Sequence, residues 1–361
     1  MIEVFQEWYR RFFPEPQVLS FALLLLAGLL LLVYFGGILA PVLAAVVIAY
    51  ILDGGVDLLE RWRVPRTLAA IIVFVVFLAL VMLALVGLGP LLSQQITQFF
   101  AELPKMLAQG QQALLHLPEQ YPNLISADQV RDILAAIQSE LASFGQRVLR
   151  FSAASVVGII TIMVYFVLVP LMVFFFLKDK HSIMGWMAGF LPTERQLARD
   201  VWHEVNSKIA SYIRGKFWEI LIVWVVTYVT FKLLGLNYAM LLAFLVGISV
   251  IVPYVGAAVV TIPVAFIAYF QWGLTSEFAY VVLAYGIIQF LDGNLLVPLL
   301  FSEVVNLHPV AIIVAVLVFG GLWGLWGVFF AIPLATLVNA VIKSWPTASR
   351  ASAMEQGPGE T

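Results

Sequence analysis

Apolar runs of membrane-crossing length follow one another along almost the whole chain, separated by short polar stretches. Val18–Phe35 and Ile38–Leu52 come first, parted only by Gly36-Gly37. They predict a helical hairpin with Pro41 in the first turn of its second helix, where a missing N–H costs little. Thr67–Leu92 and Ser152–Leu177 are the third and fourth runs; Phe217–Leu234, Tyr238–Val252, Tyr254–Phe270 and Phe278–Leu300 follow. A bilayer core takes about 20 apolar residues to cross as a helix, so these read as about eight transmembrane helices. The final run, Val310–Ile342, is too long for one span and is punctured at its middle. A pair of half-helices dipping in and out on one side is expected there.

Two longer polar stretches carry helical patterns of their own. In Ser93–Arg150, the positions Ile96, Phe100, Leu103, Leu107, Gly110 and Leu114 alternate steps of four and three. Val130, Leu134, Ile137, Leu141, Phe144 and Val148 do the same, and both sets are heptad seams. Pro118 and Pro122 break the stretch, and Ser126 with Gln129 supplies a capping box for a second helix. The prediction is an outer two-helix coiled-coil arm, with a possible kink at Pro104. Its helices pack on each other, or also on the same arm of a neighbouring subunit. Before the fifth run, Thr193 and Gln196 form another capping box, and Leu197, Val201, Val205, Ile209 and Ile213 fall on one stripe. That is an inner amphipathic helix, lying along the membrane face or packed on other helices.

The resulting plan is an all-α polytopic membrane protein in six segments. Residues 1–92 hold the first three transmembrane helices, 93–150 the arm and 151–177 the fourth helix. Residues 178–216 are the amphipathic segment, 217–345 a motif-rich transport core and 346–361 a disordered tail.

Composition agrees. Hydrophobic residues make up 63% of the chain and charged residues 11%, against about 25% charged in soluble domains. Mean hydropathy is +1.01. With no cysteine there are no disulfides or thiolate ligands, and the 4 histidines (His116, His181, His203, His308) lack metal-site spacing. No cofactor or metal is expected. A net charge of −2 offers no basic surface to nucleic acid, and no Gly-rich phosphate loop is present. Basic residues cluster at Arg10-Arg11, at Arg61–Arg66 and through Lys178–Lys216, which alternating topology places on one side. That side reads as the cytoplasm of a bacterial inner membrane, with both termini there. Arg10-Arg11 before an apolar run also suits a signal peptide, but the run is long and a second follows at once, so an uncleaved helix is expected.

Candidate chemistry concentrates after Phe217. Pro253-Tyr254-Val255-Gly256, with Pro263 beyond, interrupts apolar sequence. Backbone freed at membrane depth must be buried in protein or line a wet cavity, so this is a broken helix of a substrate site or a tight turn at the membrane surface. Gln289, Asp292, Gly293, Asn294 and Pro298 sit inside one apolar span, with Gln289 and Asp292 three apart on one helix face. A carboxylate at the bilayer centre costs about 2.5–3.5 kcal/mol on insertion scales, which makes Asp292 a candidate for binding a cation, a proton or a polar solute. Glu219 in the fifth run faces a cavity on this reading. His308, before Pro309, is a helix-start residue or a pH sensor. Gly320, Gly321, Gly324 and Gly327, followed by Pro333, form the last interruption, as a hinge or as a close-packing surface.

These motifs, in this order, resemble the autoinducer-2 exporter family. The likeness rests on Pro253-Tyr254-x-Gly256, Gln289-x-x-Asp292-x-Asn294-x-x-x-Pro298, Leu307-His308-Pro309 and Gly320…Gly327…Pro333. Asp292 through Glu303 and Gly320 through Thr336 are most similar to its PerM-type permease branch. Asp292 stands where many members have Glu, Ala257 replaces a usual proline, and Ser302-Glu303 replaces a usual Gly and basic residue. The resemblance implies an inner-membrane, homo-oligomeric transporter, in a family linked to export of autoinducer-2 or to sodium–proton exchange.

The leading expectation is secondary transport, outward in the sense of export, of a small polar solute or cation through Asp292, Gln289, Asn294 and Glu219, without enzymatic chemistry. Membrane lipid and further copies of the chain, met through residues 93–150 and the transmembrane helices, are the expected partners. The alternatives are an oligomeric scaffold that docks partners through its arm, and a passive channel.

Overall fold

The computed structural model describes residues 16–120, 132, 135, 139, 155–189, 196–302 and 308–344, and every regular element among them is helical. The helices are α1 (Pro16–Arg61), α2 (Arg66–Gln120), α3 (Ser155–Lys178), α4 (Lys180–Ala188), α5 (Gln196–Leu233), α6 (Ala239–Ser249) and α7 (Val255–Trp272). Then come α8 (Ser276–Leu291), a π-helical turn (Asp292–Leu296), α9 (Val297–Phe301), α10 (Pro309–Trp323) and α11 (Leu325–Ser344). Helices prevail because hydrocarbon offers backbone groups no partners, so each segment must satisfy its own. Outward faces stay apolar, as at Leu83 and Val86, each 71% exposed. The protein is an all-α polytopic membrane protein. Five described helices are long and apolar enough to cross a bilayer, and Met163–Lys178, Ala239–Ser249 and Pro309–Trp323 are shorter apolar segments.

The first two apolar runs do not form a hairpin. They make one continuous helix, α1, of 46 residues. Two interior glycines cost about 1 kcal/mol each, less than a turn costs when it exposes unpaired amides to lipid. Gly36 instead gives close approach: a Cβ there would lie 3.3 Å from the Trp323 ring. Nor does the chain break at Ser93. Helix α2 runs through Pro104 for 55 residues, about 82 Å at the helical rise. The second arm helix expected from Ser126 lies outside the described residues, apart from the helical positions Asp132, Ala135 and Ser139. The amphipathic stripe is fused to the fifth span as the 38-residue α5. Val201, Val205 and Ile209 of that stripe pack with Leu337, Ala340 and Val341 of α11.

Ion pairs fasten one end of the α1–α2–α4 group. Arg66 reaches Asp53 at 3.3 Å and Glu60 at 3.0 Å, and Lys180 reaches Asp53 at 2.6 Å. Midway along its length α2 braces α6: Gln95 Oε1 accepts the Leu241 N–H at 2.9 Å, and Phe99 stacks edge-on against Tyr238 at 5.7 Å.

Two helical hairpins share one construction. In α6–α7, the Gln271 side chain accepts the Asn237 N–H and donates to the Gly235 carbonyl, both at 2.8 Å, tying the end of α7 to the start of α6. Helix α6 has only 11 residues, about 16 Å, too short for a core of about 30 Å. Its tip, Val250–Tyr254, turns the chain back into α7, with Tyr254 at φ +63°. Gly256 then packs directly on the Ser249 carbonyl. In α10–α11, Gly324 turns at φ +59° and Gly327 packs directly on the Phe319 carbonyl.

Both contacts exclude a side chain. Gly256→Ala and Gly327→Ala should each destabilise the protein by about 1–3 kcal/mol, by the ordinary cost of overpacking. Gly321→Ala, where a Cβ meets nothing within 4 Å, should leave the unfolding midpoint in detergent unchanged.

Candidate functional site

Three interrupted segments and one long helix meet at a single cavity. Helix α5 contributes Tyr212, Lys216 and Glu219, which share a face because they are four and three residues apart. The α6–α7 tip contributes Val250, Val252, Pro253 and Tyr254. From α8, the π turn and α9 come Gln289, Asp292, Gly293, Val297, Pro298 and Phe301, while Ile312 of α10 and Ile332 of α11 close the apolar wall. The cavity volume is about 600 Å³.

The charged centre is a buried pair. Lys216 and Glu219 are 4% and 2% exposed, and their charged atoms lie 2.6 Å apart. Lys216 Nζ also donates to the Val250 carbonyl at 2.9 Å and sits 5.3 Å from the centroid of the Phe301 ring. That carbonyl lies at the broken end of α6, where no following turn supplies an N–H. A cation there also suits the negative pole of the helix.

Asp292 begins the π turn. The Val297 N–H bonds to the Asp292 carbonyl five residues back, just ahead of Pro298, which has no N–H to give. The backbone thus widens at Asp292 and does not unwind. Asp292 Oδ1 and Gln289 Nε2 are both buried without a hydrogen-bond partner among the described residues. One is an acceptor and the other a donor, so together they can hold a ligand with complementary groups.

The remaining candidates divide by position. Pro253, Tyr254, Gly293 and Pro298 line the cavity, and Gly256 lies just behind, against Ser249. Asn294 is exposed and donates back to the Phe290 carbonyl at 2.9 Å, outside the cavity lining. Pro263 lies inside α7. Gly320, Gly321, Gly324, Gly327 and Pro333 shape the α10–α11 hairpin. Pro333 cannot donate to the Phe329 carbonyl, and the Tyr212 hydroxyl does so at 3.0 Å. His308 caps α10, its Nδ1 accepting the Val310 N–H at 3.3 Å, and is exposed away from the cavity lining. No group of three or more His, Asp and Glu among the described residues is arranged to hold a metal.

Lys216 and Tyr212 escaped the sequence reading, which took Lys216 as the last polar residue before a span. The signal was present: Lys216-x-x-Glu219 puts opposite charges on one helix face as it enters apolar sequence.

The sequence profile described as "AI-2E family transporter" matches residues 19–347. A protein of Escherichia coli (strain K12) with the provisional name permease PerM is 47% identical over 346 residues, covering 96% of this chain and 98% of its own. YueF of Bacillus subtilis (strain 168), provisionally named a transport protein, is 28% identical over 316 residues, covering 86% of this chain and 84% of its own.

Removing one member of the buried pair strands the other. Lys216→Met should destabilise the protein by about 3–5 kcal/mol, and the double change Lys216→Met/Glu219→Gln should recover most of that loss. Thermal unfolding of the three proteins in the same detergent checks this.

Proposed function

Because this chain belongs to the AI-2E transporter family, we propose that the cavity around Asp292 is its transport site, and that it moves a small polar solute or cation by secondary transport. The chain is a multi-pass membrane transporter and not an enzyme. One observation carries the finer reading: the interruptions at Pro253 and Asp292 converge on one cavity that also holds the buried Lys216–Glu219 pair. Ionisable groups at membrane depth are costly and mark solute or ion pathways.

Binding falls to Asp292, Gln289 and Glu219. Asp292 Oδ1 accepts from the solute or binds a cation, Gln289 Nε2 donates, and Glu219 adds negative potential. Asn294 supports the π turn by covering the Phe290 carbonyl. The α6–α7 and α10–α11 hairpins are re-entrant on this reading. Broken helices of this kind line transport sites because only protein or a wet cavity accommodates their free backbone groups. Alternating access follows if the α6–α7 tip moves against α5 and α8.

Clustered Arg and Lys at the Arg66 end support a cytoplasmic side for that end at a bacterial inner membrane; the unbroken α1 then puts its Pro16 end on the opposite side, in place of the shared side expected from a hairpin. Export is the proposed direction. Ile96, Phe100 and Leu115 on the second half of α2 are 40%, 45% and 51% exposed, a surface suited to another copy of the chain.

Asp292→Asn tests the site in proteoliposomes, with sodium uptake and proton movement followed together and autoinducer-2 efflux measured separately. Whichever flux the parent supports should fall by at least about tenfold, the equivalent of about 1.4 kcal/mol. Gln289→Ala should reduce it less, and Asn294→Ala should change it little. Full flux in Asp292→Asn overturns the assignment.

A further inference from the structure

We propose that Lys216 is a latch on the tip of the α6–α7 hairpin, released when positive charge reaches the carboxylates of the cavity. This rests on the transport-site reading above and adds a way for occupancy to move the wall.

The geometry gives Lys216 two holds. Its ammonium is 2.6 Å from a Glu219 carboxylate oxygen on its own helix and 2.9 Å from the Val250 carbonyl on the tip. The first hold is within α5. The second crosses from α5 to the broken turn that follows α6. Tyr254, at φ +63°, ends any helical continuation there, so no downstream N–H replaces the ammonium. The Phe301 ring, 5.3 Å away, faces the same ammonium from α9.

Among the described residues, Lys216 is the one lysine or arginine lining this cavity, and Glu219 and Asp292 are its acids. With the cavity empty, the ammonium is the counter-charge to both. Asp292 acts on Lys216 electrostatically, yet its buried Oδ1 has no hydrogen-bond partner among the described residues. An arriving cation or proton takes over the carboxylates and weakens their hold on Lys216. It also repels the ammonium if it stays charged. Once Lys216 shifts, the Val250 carbonyl loses its donor. Exposed backbone at depth then favours water, so the tip opens toward the cavity.

The chain contains no cysteine, so one introduced thiol reports without background. Val252 lines the cavity at the tip and is half-buried. Val252→Cys protein in lipid vesicles is treated with a membrane-impermeant maleimide, with no transported solute added. Three further chains carry Lys216→Met/Glu219→Gln, Glu219→Gln alone or Lys216→Arg. The double change removes both charges of the 2.6 Å pair together. Glu219→Gln mimics neutralisation by an arriving positive charge. Both should speed labelling by about tenfold through a shift toward the open tip. Lys216→Arg, which can still donate to Val250, should stay near the parent rate; a bare packing role for residue 216 does not give that rescue. An unchanged rate in the double variant or in Glu219→Gln overturns the latch, as does fast labelling in Lys216→Arg. Flux surviving Asp292→Asn would sink the transport-site reading and leave this labelling result intact.

Discussion

At membrane depth every backbone carbonyl released by a broken helix needs a donor from elsewhere in the protein. That constraint organises the whole cavity region. The Val250 carbonyl is met by the Lys216 ammonium, and the Phe329 carbonyl, orphaned by Pro333, by the Tyr212 hydroxyl. Tyr285 donates to Ala257 at the start of α7, and Asn294 donates to Phe290 at the π turn. The donors come from α5, α8 and the π turn, so the interruptions are tied to one another through them. Breaking a helix here creates a crosslink between elements.

Helix α5 carries the most of this burden. Its first half packs Val201 and Val205 on α11, its middle places Tyr212, Lys216 and Glu219, and its last turns pack Phe231 in the core with Tyr285. A single continuous helix therefore touches both hairpins. The acids and the ammonium sit where these contacts meet, beside both hairpins.

Much of this was legible in the chain itself. Runs of aliphatic residues announced helices in lipid, and Pro253, Asp292 and Pro298 marked the segments that line the cavity, because proline and a carboxylate are both costly there. The boundaries were less legible. Gly36-Gly37 and Ser93 look like punctuation, but in lipid a glycine pair costs less than a turn does, and a polar residue can continue a helix beyond the bilayer. Lys216 was overlooked because its importance depends on a partner carbonyl 34 residues away, a contact that no local pattern contains. Asn294 was grouped with Asp292 by proximity, whereas the π turn directs it to its own backbone.

Helix α2 has a further consequence. It is held at Arg66 by acids of α1 and again at Gln95 by the Leu241 amide, with no loop between the two fixings. Each residue added to or lost from that interval would swivel everything beyond it by about 100° and slide it by about 1.5 Å. Gln95 and Phe99 would then face lipid. Exposed side chains along this rod can change at little cost, but its length is locked like the tooth count of a gear.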